Sequence, residues 1–298
     1  MRATPILVLL SAALLGGCVS VQTHKAATPA VTAAPIEQGP LPDDSLNATV
    51  WYQTSVERDL ITREVYRAAG RYLEQALADP AWDALPREDR DNDPAGLPPA
   101  IIVDVDETVL DNSAHQARLI RGGGSFDEAG WDDWVRQRAA PALPGAAEFL
   151  AEAARRGVTV FYVSNRTVAQ GPATVDNLRA AGFPIDSGAQ FLGKGTVVEG
   201  CEGTGSDKGC RREQVGRRYR VLMQFGDQVG DFVDIPSNSR AGRAAAIAPY
   251  AGWIGERWWV LPNPVYGSWE PALFNNDWSL SERQRRAAKQ AALDAKEH

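Results

Sequence analysis

Ile101-Ile102-Val103-Asp104-Val105-Asp106-Glu107-Thr108-Val109-Leu110-Asp111-Asn112 is the stretch from which the fold can be read. Its apolar, β-branched start reads as a buried strand. Aspartate is a poor strand residue, so the strand is expected to stop near Asp104. Asp104 and Asp106 then stand at the carboxyl end of that strand, where open α/β sheets hold their ligands. Two carboxylates this close resist joint ionisation. A divalent cation relieves that repulsion, and hard oxygen ligands suit magnesium. A bare Asp-x-Asp is otherwise a common solvated turn, so the surrounding chain has to decide.

Downstream, apolar runs alternate with helical segments. Val158 to Val163 is a strand that leads into Ser164-Asn165-Arg166. Arg220 to Phe225 is another, delivering Gly226-Asp227-Gln228-Val229-Gly230-Asp231-Phe232. Gln190–Leu192 and Arg257–Leu261 read as two further strands. Helices are expected over 145–156, with Ala147, Leu150 and Ala154 inward, and over 168–181, from Lys208 through Arg218, and over 238–249. This order implies an α/β fold with a doubly wound parallel sheet. Upstream, one amphipathic helix is expected from Ser45 or Asn47 to about Ala78, its inner face formed by Ile61, Val65, Ala69, Tyr72 and Ala76. Residues 79–98 read as a surface loop. Residues 113–141 show no clear period and hold Phe126, Trp131 and Trp134, which suit either stacking on a ligand or packing.

Asp-Val-Asp-Glu-Thr-Val-Leu-Asp-Asn resembles the first motif of the haloacid dehalogenase superfamily. It is most similar to that of the class C bacterial acid phosphatases, which are outer-membrane lipoproteins. Ser164 matches the second motif, and Lys208 the third, with Lys194 as a rival. Asp227 and Asp231 match the fourth. The opening Trp51-x-Gln53-x-Ser55-x-Glu57 and the segment Pro262-Asn263-Pro264-Val265-Tyr266-Gly267-Ser268-Trp269-Glu270 resemble the same branch, so the likeness runs from Trp51 to Glu270. It departs in the fourth motif. Gln228 stands where the family has asparagine, and Gly230 where it has an acid, which puts the metal surroundings in question.

The resemblance implies a haloacid dehalogenase-like Rossmannoid core with a small, mainly helical cap at about 113–141. It implies a Mg2+-dependent acid phosphatase, acting on nucleoside 5′-monophosphates and related phosphomonoesters. Asp104 would be the nucleophile and Asp106 the acid and base, with Ser164 and Lys208 stabilising the phosphoryl oxygens. Metal would be held by Asp104, the main-chain carbonyl of Asp106, and Asp227, with Asp231 holding a metal-bound water or orienting the lysine. Asn165, Arg166 and Tyr266 would face the substrate, although Arg166 suits an acidic neighbour equally well. Transfer to an alcohol acceptor would use the same residues as hydrolysis. The competing reading is a non-catalytic surface lipoprotein that binds a phosphorylated ligand or acts as an adhesin.

The amino terminus bears on location. Residues 1–18 have a basic start at Arg2, a short apolar run, and Leu15-Gly16-Gly17-Cys18, which resembles a bacterial lipobox. Cys18 is the expected lipidation site, and Val19 after it favours the outer membrane by likeness to enteric lipoproteins. Residues 19–45 read as a flexible tether, 46–280 as the phosphatase domain, and 281–298 as a charged carboxyl-terminal helix. Once Cys18 is lipidated, Cys201 and Cys210 remain as a pair in a compartment where disulfides persist. A net charge of −7 argues against a nucleic-acid polymer as partner. The partners expected are a small phosphomonoester and, through the anchor, a membrane.

Overall fold

Residues 43–203 and 205–296 are described by the computed structural model. The signal segment, Cys18 and the tether up to residue 42 lie outside them. Strands β1 (Pro99–Val103), β2 (Thr159–Thr167), β3 (Phe191–Lys194), β4 (Arg220–Gly226) and β5 (Trp258–Val260) form one sheet in the order β3-β2-β1-β4-β5. Every pairing is parallel. The strand that carries Asp104 is therefore central, with Ile102 between Phe161 and Gln224.

The helices are α1 (Leu46–Thr54), α2 (Val56–Ala78), α3 (Ser113–Gly122), α4 (Glu128–Gln137), α5 (Ala146–Arg155), α6 (Gly171–Ala180), α7 (Gly209–Gly216), α8 (Arg240–Ile247) and α9 (Glu282–Ala291). Side chains alternate across a strand, and β1 feeds two apolar layers in turn. Ile101 and Val103 join Tyr66, Leu73, Phe149 and Phe225 on one face. Ala100 and Ile102 join Phe161, Val215, Phe232 and Trp258 on the other. Between Ala100 and Ile101 the β1–β4 register slips, which leaves Leu222 unpaired in the ladder. Its carbonyl accepts a hydrogen bond from Trp82 Nε1 at 2.8 Å instead.

The single helix expected near the amino terminus is two. Ser55 is extended between them, and its side chain accepts from the Arg58 amide to cap α2. The buried face of α2 is Arg58, Thr62, Tyr66, Ala69, Leu73 and Ala76. Ile61 is exposed, so the helix is turned about one position from the apolar stripe. Tyr66 sets that turn: its ring stacks on Phe225 and its hydroxyl donates to the Thr108 carbonyl at 2.6 Å. In α5 the buried set is Ala146, Phe149, Leu150 and Ala153, not Ala147 and Ala154. Residues 113–141, without visible period, hold α3 and α4. Helix α9 is fastened to the domain by Arg286 to Asp44 and by Lys289 to Asp44 and Glu270. Among the described residues, no helix is long and apolar enough to cross a membrane.

Tyr66→Phe keeps the ring but orphans a buried carbonyl in the loop after β1. It should lower unfolding free energy by about 1–3 kcal/mol in urea titration; an unchanged midpoint would contradict this account.

Candidate active site

The carboxyl ends of β2, β1 and β4 are neighbours, and each delivers polar side chains to one place. Asp104 continues β1, its amide donating to the Phe225 carbonyl at 2.9 Å. The chain then closes tightly, with the Val109 and Leu110 amides both returning to the Val105 carbonyl. Glu107 takes a positive φ of 56° in this turn. Its buried carboxyl accepts from the Asn112 amide, and burial, then Asp106, pushes its pKa well above the usual carboxylate range.

Lys208 is buried at the start of α7. Its ammonium reaches Asp104 Oδ1 at 2.5 Å and Asp231 Oδ1 at 2.7 Å. Burial opposes its charge, but Asp104 and Asp231 prevail and its pKa is raised. Thr108 donates to the other oxygen of Asp104 at 3.0 Å. The Asp104 pKa is pushed up to about 7 by burial, which Lys208 opposes and Asp231 and Asp106 reinforce. Asp227 follows β4 and accepts from Asn263 Nδ2 at 2.7 Å and Gln228 Nε2 at 2.8 Å. Burial, then Asp231 and Asp104, raise its pKa well above the ordinary value. Gly226 makes this corner possible, because a Cβ there would meet the Asp231 side chain at 2.3 Å.

One oxygen each from Asp104, Asp227 and Asp231 lie within 4.8 Å of one another. Among the described residues, Lys208 is the one cation bonded to any of the three, and it pairs with Asp104 and Asp231 only. The cluster is short of positive charge, and its donors are hard oxygens, so it fits a divalent cation. Asp106 stands apart from it. Its carboxylate is gripped by Arg166 through Nε at 3.0 Å and Nη2 at 2.8 Å, and by Asn112 Nδ2 at 2.8 Å. Arg166 thus takes the acidic neighbour that the sequence left open. Ser164 is buried at β2, its hydroxyl accepting from the Arg166 amide, whereas Asn165 beside it is exposed.

Asp104, Asp106, Asp227 and Asp231 open on a cavity of about 860 Å³. Trp131 and Tyr266 form part of its wall. Trp134 is instead buried and donates to Asn112 Oδ1 at 2.7 Å, so the two tryptophans differ in role. Lys194 is exposed and does not line the cavity. Cys201 and Cys210 are bridged, with Cα atoms 5.7 Å apart, and the closed loop contains Lys208.

The family model of the HAD superfamily, subfamily IIIB (acid phosphatase), matches residues 43–269. The chain belongs to this family. Among solved structures it is similar to the class C acid phosphatase from Bacillus anthracis, with 32% identity and a TM-score of 0.73, over 85% of this chain and 98% of that one. The same comparison holds for the Bacillus anthracis enzyme with tungstate bound, at 31% identity and a TM-score of 0.73. Acid phosphatase 1 of Solanum lycopersicum is 25% identical over 279 residues, 89% of this chain and 99% of that protein. The protein is a phosphoric monoester hydrolase of the acid phosphatase type, which displaces the non-catalytic alternative.

Several residues of the candidate site escaped the sequence reading. Asn112 holds Asp106, Arg166 and Trp134 at once. Asn263 supports Asp227. Arg211 bonds both the end of β2 and the Lys208 loop. Its spacing of three from Lys208 on one helix was the available signal. The bridge beside it should matter for activity before it matters for the fold. In dithiothreitol, phosphatase activity should fall while far-ultraviolet circular dichroism is unchanged; simultaneous loss of both would show a purely structural disulfide.

Proposed function

We propose that this acid phosphatase is Mg2+-dependent, works through an aspartyl-phosphate intermediate, and accepts nucleoside 5′-monophosphates. The observation that carries the reading is the Lys208 ammonium bonded to both Asp104 and Asp231, with Asp227 beside them. A pure binding site has no use for a buried carboxylate aimed into a cavity next to a second one. The tungstate bound by the Bacillus anthracis relative, a tetrahedral oxyanion like phosphate, supports the same reading.

Asp104 attacks phosphorus, and the bond to the leaving oxygen breaks. Asp106 gives that oxygen a proton, then takes one from the water that cleaves the aspartyl phosphate. Arg166 and Asn112 hold Asp106 in place for both transfers. Ser164, Asn165 and Lys208 donate to the phosphoryl oxygens. Asp104, Asp227, Asp231 and the main-chain carbonyl of Asp106 would hold magnesium, which supplies charge neutralisation where two anions meet. Trp131 and Tyr266 give the cavity the flat apolar walls that suit a nucleoside base.

The soluble form lacking residues 1–18 should release phosphate from a nucleoside 5′-monophosphate at about pH 5–6 with magnesium. EDTA should stop release and magnesium restore it. Asp104→Asn should abolish it, a loss of at least about 10³-fold. Residual turnover near the wild-type level in folded Asp104→Asn would remove Asp104 as the nucleophile.

We further infer that Cys18 carries the lipid that anchors the enzyme to the outer membrane. Its place at the end of a short apolar run supports this. Cells fed labelled palmitate should label the wild-type protein and not Cys18→Ser; equal labelling of both would rule out Cys18 as the anchor.

A further inference from the structure

Arg211 is buried in the first turn of α7, yet among the described residues no carboxylate pairs with it. Its Nη1 donates to the Ser164 carbonyl at 2.5 Å. Its Nη2 donates to Asn165 Oδ1 at 2.8 Å and to the carbonyls of Asp207, Ser206 and Gly205 at 2.9, 3.2 and 3.3 Å. Every acceptor is neutral. A buried guanidinium is ordinarily offset by a carboxylate. Here no carboxylate is bonded to it, and the nearby charges of Asp104, Asp231 and Asp207 offset its burial only in part. Burial, then the adjacent Arg212, lowers its pKa to about 10, and it remains cationic at neutral pH.

The bond to Asn165 decides which way that amide faces. An asparagine side chain can offer a cavity either its oxygen or its NH2 group. A guanidinium only donates, so it claims Oδ1 and leaves Nδ2 directed elsewhere. Asn165 is exposed on the cavity wall, and among the described residues its Nδ2 has no acceptor. The donor is therefore ready for an anion.

We propose that Arg211 is a positioning residue for the transferring phosphoryl group. It orients the Asn165 amide so that Nδ2 donates to a phosphoryl oxygen, and it holds the Lys208 loop against the end of β2. The inference rests on the phosphatase reading above for the identity of the anion.

Inorganic phosphate is the probe, with its dissociation constant measured by calorimetry on the magnesium-loaded protein. Arg211→Met and Asn165→Ala should each weaken binding about tenfold, the size of one charge-assisted or well-placed hydrogen bond. The double variant should also lose about tenfold and not about a hundredfold, because Asn165 is already misdirected without Arg211. Arg211→Lys retains a charge without the fork. It should recover the melting temperature but not the phosphate affinity, and KM for phenyl phosphate should rise more than kcat falls. Multiplying losses in the double variant, or wild-type affinity in Arg211→Lys, overturn the proposal. Where Arg211→Met does not fold, the cycle built with Arg211→Lys decides by the same criterion. A wild-type protein that binds phosphate with this pattern but hydrolyses nothing sinks the catalytic reading and leaves the positioning role standing.

Discussion

The Lys208 ammonium held between Asp104 and Asp231 is the interaction on which the rest of the site depends. Burying an ammonium or a carboxylate alone costs several kcal/mol, about what only close pairing can recover. The 2.5 and 2.7 Å contacts are that pairing. They join three separate pieces of chain: the end of β1, the start of α7 and the turn after β4. Displacing any one of them would strand a buried charge. The same arithmetic explains why the cluster calls for a cation. Asp227 is supported by two neutral amides, from Asn263 and Gln228, which orient its carboxylate without cancelling its charge.

The sheet order makes that convergence possible. With β1 between β2 and β4 and every pairing parallel, the ends that carry Asp104, Ser164 and Asp227 share one edge of the sheet. The lysine comes from the start of α7, in the segment before β4. Its loop needs outside restraint, since it is long and has little apolar content. The Cys201–Cys210 bridge and the five bonds of Arg211 supply it. The candidate site is thus a row of neighbouring strand ends met by one tethered loop.

Much of this was legible in the sequence because strand ends announce themselves. An apolar run that stops at an aspartate, serine or glycine places its next residue at a sheet edge, whatever the family. Asp104 and Asp227 were readable on that ground, whereas Ser164 and Asp231 came from the likeness of their motifs to the acid phosphatases; β2 runs past Ser164 to Thr167, and Asp231 lies in the turn beyond β4. Helix orientation was less legible. Counting Ile61 and Val65 as core missed the face on which Tyr66 stacks and bonds, because hydrophobicity alone does not register a hydroxyl needed by a distant carbonyl. Asn112, Asn263 and Arg211 were hidden for a related reason. Each has a contact to a residue between 36 and 54 positions away in sequence, and no local period reports such a partner.

Gln228 shows how a departure from a family pattern can be absorbed by the fold. Asparagine in its place would be one methylene shorter. The glutamine reaches Asp227 Oδ2 with Nε2 and accepts from the Ser268 amide at 3.1 Å with Oε1. Its own amide donates to Asp231 Oδ2 at 2.8 Å. One residue therefore ties both aspartates of the fourth motif to the Pro262–Glu270 segment that carries Tyr266. The missing acid at Gly230 has a counterpart too, because its carbonyl accepts from Arg212 at 3.1 Å. That guanidinium is already paired with Asp89 and Asp234, so α7 and the fourth motif stay locked without a further carboxylate. The altered motif thus has hydrogen bonds around the carboxylate cluster where the family pattern has one more acid.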